Sequence, residues 1–269
     1  MHTRLITPSP AEPVALAALK DHLNITATAT DDDLALKLAA ARRHIESKIR
    51  RRLVEHVFDG YMDAWPRRDY IELPFPPLVA VSGVYYTDSV DVENTWATTE
   101  YGVDLVRGRV TLKYGKSWPS ATLATVNPIR VRFRCGWLKP FTADATANTI
   151  MACAVEGLAN GDVIRLSNSG GALPSGLAAG TDYYVVSAGA STVQVSLTAG
   201  GAAVDLEDTG SGTHFVGELP EEIRIALMMR AGAMVENRES EMVAAGSMLV
   251  SLPIEDDLLA PYADLVVPD

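Results

Sequence analysis

Cysteine is scarce, with only Cys135 and Cys153 in 269 residues. Two thiols this far apart frame neither a metal cluster nor a disulfide-stapled small fold. A disulfide between them stays open, but two free thiols in a reducing compartment are the favoured reading. The five histidines, His2, His22, His44, His56 and His214, do not stand at metal-ligand spacings, and there is no HExxH. Long apolar runs are missing too. No stretch of about 18 apolar residues occurs, which excludes a membrane-spanning helix. The opening MHTRLITPSPAEP has no apolar core of the kind a signal peptide carries. A nucleophile elbow of the GxSxG type is absent, so Ser251, His214 and Asp205 make a triad only on paper. Gly170-Gly171 and Gly200-Gly201 are followed by neither Lys-Ser/Thr nor a helix start, and read as turns rather than phosphate loops. No enzyme activity, metal or cofactor is expected.

Positive charge is sparse in half the chain. Residues 1–140 carry 19 Lys+Arg against 16 Asp+Glu, residues 141–218 carry 1 against 8, and residues 219–269 carry 3 against 10. The step near residue 140 marks an organisational boundary. It also argues against tight binding of nucleic acid, because phosphate attraction would become repulsion over much of the chain.

Helical periodicity is present at both ends of the chain. In Asp31–Leu53, residues Leu34, Leu38, Ala41, Ile45 and Ile49 share one face. Thr30 to Asp33 supplies an N-cap and negative charge at the positive end of the dipole, a better account of the three aspartates than a cation site. A second long helix is expected from Pro220 to about Glu241, with Ile223, Leu227, Ala231 and Met234 on one face and Glu221 and Glu222 in its first turn. The two apolar stripes are natural mates, each large side chain gaining roughly 1.5–3 kcal/mol on burial before entropy. A shorter helix covers Val14–Leu23. Strands are expected over 54–61, 70–73, 79–87, 95–100, 103–105, 109–112 and 129–133. In the last, Ile129, Val131 and Phe133 alternate with Arg130 and Arg132.

Residues 141–218 hold 12 of the 20 glycines. Short strands over 149–155, 162–167, 182–187, 192–197 and 214–216, punctuated by Gly-rich turns, read as a small all-β sandwich or barrel. The expected organisation is therefore α+β. A helical host of residues 1–140 and 219–248 is built on two long amphipathic helices plus a small β portion. An all-β module, 141–218, is inserted into one of its loops. Residues 249–269 form a docking tail, too apolar to be solvated and too irregular for a core helix. Its candidate docking residues are Leu249, Leu252, Pro253, Ile254, Leu258, Leu259, Pro261 and Tyr262. The remaining basic feature, Arg42, Arg43, Arg50, Arg51 and Arg52, reads either as a solvated helix end or as a face turned to DNA or an acidic partner.

The order LAALKDHLNI, DDDLALKLAAARRHIESKIRRRL, YIELPFPPLVAVSGVYYTD, TEYGVDLVRGRVTLKYGKSWP, IRVRFRCGW, LPEEIRIALMMRAGAMVENRES and SLPIEDDLLAPY resembles the head–tail connector, or adaptor, family of long-tailed double-stranded DNA bacteriophages. The segment GDVIRLSNSGGALPSGLAAGTDYYVVSAGASTVQVSL, with GSGTHFV, is similar to a small β module that recurs in phage structural proteins. The family usually has a short connection there, so this insertion is a departure.

The resemblance implies a structural virion protein of the neck, assembled in the host cytoplasm as a homo-oligomeric ring, typically a dodecamer. The ring would sit under the portal, extend the DNA channel without sequence-specific binding, take part in genome retention and ejection, and give the tail a platform. Its implied partners are the portal, a stopper or tail terminator, and other copies of itself. A rival reading is a tail-completion or baseplate protein whose β insertion binds a glycan or a neighbouring capsid protein. Tyr183 and Tyr184 are its only adjacent aromatic pair.

Overall fold

The computed structural model describes residues 1–9, 11–152, 158–189, 192–236 and 253–263. Within them lie fifteen strands, four α-helices and one 3-10 turn. Strand accounts for 32% and helix for 22%, so the protein is mostly β. This corrects the expected helical host built on two long amphipathic helices. Eight of the strands lie before residue 136, where only a small β portion was expected.

The helices are α1 (Leu16–His22), α2 (Asp31–Ile49), α3 (Glu221–Glu236) and α4 (Pro253–Leu259). Helix α2 stops four residues short of Leu53 because Arg50 adopts a left-handed conformation at φ 55°. Thr30 sits at its N-cap without a side-chain capping bond; its first-turn carboxylates are held instead by Lys20 (to Asp31, 2.7 Å) and Lys37 (to Asp33, 2.7 Å). Helix α3 is not amphipathic. Ile223, Leu227 and Ala231 are buried as their spacing predicts, but Ile225 is 41% exposed, and Met229 and Ala233 are only partly covered. Spacing identifies one apolar face; it does not make the opposite face polar. Residues 237–241, which the expected helix included, lie outside the described residues.

The front half of the chain builds an antiparallel five-stranded sheet in the order β1 (His2–Thr7), β2 (His56–Met62), β8 (Ile129–Cys135), β4 (Leu78–Thr87), β5 (Glu93–Thr95). A smaller sheet, β3 (Tyr70–Glu72), β7 (Arg109–Leu112) and β6 (Tyr101–Asp104), faces it. Between them lies a core that includes Phe58, Ile71, Val84, Val110, Val131 and Phe133. Three of the four tryptophans close its end, Trp65 stacking on Trp118 at 5.2 Å and Trp96 lying tilted against Trp118 at 5.1 Å. Residues 139–216 contribute to a seven-stranded sheet in the order β11 (Val163–Ile164), β13 (Tyr183–Ala188), β14 (Val193–Ser196), β10 (Thr149–Ala152), β9 (Lys139–Asp144), β15 (Thr213–Val216), β12 (Leu166–Ser169). It has its own core around Leu166, Tyr183, Val185, Val193 and Val195. The helices form a third core, where Leu38, Ala41, Ile45 and Ile49 of α2 meet Ile223, Leu227 and Ala231 of α3, together with Leu138 and Phe215 from the β region.

A short crossing joins these three units. The stretch after α2 runs beside residues 137–138: Trp137 N–H donates to Arg52 O (3.2 Å), Leu138 N–H to Leu53 O (3.0 Å) and Glu55 N–H to Leu138 O (2.8 Å). Gly136, at φ 144°, makes the approach, since a Cβ there would stand 2.6 Å from the backbone of Val54 and Glu55. The Gly136 that follows β8 is thus a packing requirement of this junction.

Candidate assembly surfaces

The basic cluster expected on one face is divided by the fold. Arg42 is buried, on the same side of α2 as Leu38, Ile45 and Ile49. Its Nε donates to Glu12 (2.7 Å), its Nη2 to the other Glu12 oxygen (3.0 Å) and its Nη1 to Glu46 (3.3 Å). Burial works against the charge, but Glu12 and Glu46 outweigh it and hold the guanidinium above its ordinary value. Arg52 lies 4.2 Å over the Phe75 ring and reaches Glu46 at 3.4 Å. Arg51 sits 5.4 Å over Trp137. Arg43 and Arg50 remain on the surface. The available signal was the Arg42–Glu46 pair at i,i+4 on the apolar side of α2, a spacing that joins the two side chains wherever that side faces.

The C-terminal segment folds back onto its own helices. Leu259 is 2% exposed inside the helical core, with Leu258 packed against it. Tyr262 meets Trp137 edge-on at 6.2 Å, and its hydroxyl donates to Glu222 at 3.0 Å. Glu255 draws Lys48 (3.0 Å), His44 (3.7 Å) and Arg230 (3.9 Å) around α4, and Lys48 also pairs with Asp256. Ile254 and Pro261 face solvent, Pro253 opens α4, and Leu249 and Leu252 lie outside the described residues.

Sequence reasoning placed Arg130 and Arg132 on the outer side of their strand without naming their partners. The strand alternation carries Arg130, Arg132 and Arg134 onto the face of the five-stranded sheet opposite its core. Each is gripped by a carboxylate from a neighbouring segment. Arg132 pairs with Asp59 through two bonds of 2.8 Å, Arg130 with Glu93 at 2.9 and 2.8 Å, and Arg134 with Glu55 at 2.9 Å. Arg130 also lies 4.0 Å over the Tyr85 ring. Burial alone would raise the Asp59 carboxyl, but the Arg132 fork, helped by Arg130, holds it below the usual range. A carboxylate depressed on folding stabilises fully above its unfolded value of about 3.9, and that contribution is lost as pH falls through the lower folded value. Asp59→Asn is therefore expected to lower the urea midpoint at neutral pH, with the gap to wild type shrinking below about pH 4. A gap of constant size through that range would contradict the assignment.

Other candidates resolve structurally. The His214 ring is engaged by Asn168 at 2.7 Å and Thr209 O at 3.0 Å, Asp205 is exposed, and Ser251 lies outside the described residues. Tyr183 is buried in the module core, while its neighbour Tyr184 points to the other side of the strand, so the pair forms no aromatic platform. Cys135 is a free buried thiol whose pKa burial raises; Cys153 lies outside the described residues. Among the described residues no three His, Cys, Asp or Glu side chains could hold a metal ion, and no helix is long and apolar enough to cross a membrane.

No family model matches the chain, and no curated protein matches it significantly. Solved structures do. A chain in the virion of a native gene transfer agent particle has a TM-score of 0.58 at 17% identity; the match covers 100% of this chain and 98% of that one. A chain in the neck of the empty particle, computed with C6 symmetry, gives 0.57 at 18%, and one in the neck of the native particle, computed with C12 symmetry, gives 0.55 at 17%, both with the same coverage. At such identities the likeness is one of fold, and it runs through residues 141–218 as well as the flanking segments.

Proposed function

We propose that this protein is a structural component of the neck of a phage-like particle. In it, the protein forms a ring-shaped adaptor between the portal vertex and the tail, extending the DNA channel and presenting a platform for tail attachment. The observation that carries this reading is the full-length fold likeness to chains from gene transfer agent particles, two of them from necks computed with sixfold and twelvefold symmetry. The order of sequence stretches resembling phage connectors supports it independently. A homo-oligomer of twelve copies is the natural stoichiometry, closed by a heterologous interface. In this reading the portal lies on one side and a stopper or tail terminator on the other.

The charge arrangement suits a passage that DNA slides through. Arg42, Arg52, Arg130, Arg132 and Arg134 are all engaged by carboxylates of the same chain, which makes these five less available to phosphate. Portal docking by the C-terminal segment falls to Leu249, Leu252, Ile254 and Pro261, because Leu258, Leu259 and Tyr262 serve their own helical core. We read residues 141–218 as an inserted β module on the ring, and the helices with the two smaller sheets as its host.

Negative-stain imaging of the purified chain, alone and mixed with portal rings, tests the proposal. The expected result is rings that stack coaxially on the portal. A protein that stays monomeric and does not bind portal would overturn it.

A further inference from the structure

The five-stranded sheet ends on a strand that the rest of the chain leaves uncovered. All six residues of β1 are exposed, on both faces, including Leu5 at 45% and Ile6 at 37%. None of residues 1–7 enters any of the three cores. The strand is held by its ladder to β2, from His2 opposite Tyr61 to Thr7 opposite Val57, with the Met1 side chain lying over Gly60. Its other edge is open; it carries no lysine or proline, and only Arg4 and the register shift between Leu5 and Thr7 blunt it. Immediately afterwards the chain is anchored firmly. Ala11 and Val14 are buried in the helical core, and Glu12 is clamped by Arg42. Between strand and anchor stands Pro8-Ser9-Pro10, a proline-rich connector.

We propose that β1 is an exchanged arm. In the assembled ring it leaves its own β2 and pairs, in the same register, with β2 of the adjacent copy of this chain. The proposal rests on the ring reading above and adds to it the identity of one intersubunit contact. The occupant follows from the pairing already observed: the β2 edge accepts this very sequence, and another copy of the chain presents the same edge. Exchange therefore preserves every ladder bond and changes only the path of the connector. That path is short. Residues 8–11 reach at most about 14 Å when fully extended. An arm handed to a neighbour must then draw the two bodies together, and the donor body comes to lie beside the arm. Leu5 and Ile6, in water in the single chain, would gain cover, and the open edge would be sheltered. Each subunit gives one strand and receives one, which is the heterologous pattern that closes a ring.

Cysteines at His2 and Tyr61 test the exchange (His2→Cys and Tyr61→Cys in one chain, with Cys135→Ala and Cys153→Ser removing the native thiols). The protein is oxidised gently in its assembled form and run on a non-reducing denaturing gel, with the same sample imaged for rings. Exchange predicts that most chains run as a covalent ladder extending towards the ring stoichiometry. Rings whose chains run only as internally bridged monomers would overturn the exchange and leave the ring reading standing; a chain that never assembles and bridges internally would overturn both. Deleting residues 1–7 gives a second measure. Because the strand adds nothing to any core, the truncated chain should keep a cooperative unfolding transition while losing its rings. Rings that survive the truncation unchanged would count against the proposal.

Discussion

Glu46→Ala should cost the fold about 3 kcal/mol, among the largest losses available from a single charged side chain. Glu46 is 2% exposed and gathers three donors: Arg42 Nη1 at 3.3 Å, Arg52 Nη1 at 3.4 Å and the Leu53 backbone N–H at 3.0 Å. Truncation leaves a buried N–H without its acceptor and removes one of the two carboxylates that compensate the buried Arg42. An unsatisfied buried donor costs about 1–3 kcal/mol, and an undercompensated buried charge more. Glu12 still holds Arg42, which keeps the estimate at the lower end of the range for broken buried pairs. Glu46→Gln keeps an acceptor for Leu53 and should lose less. Combining Arg42→Met with Glu46→Leu removes charge and countercharge together and should recover part of the loss. Urea unfolding at neutral pH reads all three variants. A change under about 1 kcal/mol in Glu46→Ala would show that Glu12 alone satisfies Arg42.

Gly136→Ala should be comparably severe for a different reason. The new Cβ would stand 2.6 Å from three backbone atoms of Val54 and Glu55, none of which belongs to a flexible side chain that could turn away. The φ of 144° adds strain of about 1–3 kcal/mol, and forcing the crossing apart adds about 1–3 kcal/mol more. The crossing joins the helical core to both larger sheets, so the damage should appear as a lower midpoint by every probe rather than as local fraying. Gly102→Ala is the control. It lies in β6, its Cβ would meet its nearest neighbour at 3.6 Å, and no positive φ is involved. Thermal unfolding should separate the two clearly; equal midpoints would refute the crossing as a close-packed joint.

Much of the element list could be read directly from periodicity. The alternation of Ile129, Val131 and Phe133 with arginines corresponds to β8, and the stripe from Leu34 to Ile49 to α2. The balance between helix and strand was not legible. Short strands such as β3, β6 and β7 fall close to their expected places and only β1 and β9 carry no such expectation; the weight given to the helices was the error, since α3 shows a helical stripe without the polar back that would make it amphipathic. Charge was misread for a related reason. Arg42 and Arg43 are adjacent in sequence but lie 100° apart around a helix, and only one of them faces the core.

The sequence by itself located most of the helices and strands, the start of the acidic glycine-rich stretch and the apolar positions, because each depends on neighbours within a turn or two of chain. Tertiary structure alone decided which charges are buried, which edge of the sheet stays open and what the C-terminal residues cover. Those outcomes depend on pairs such as Arg132 with Asp59, 73 positions apart, or Lys48 with Glu255, 207 apart. No local pattern encodes such a pairing, since either residue alone would be equally content in water.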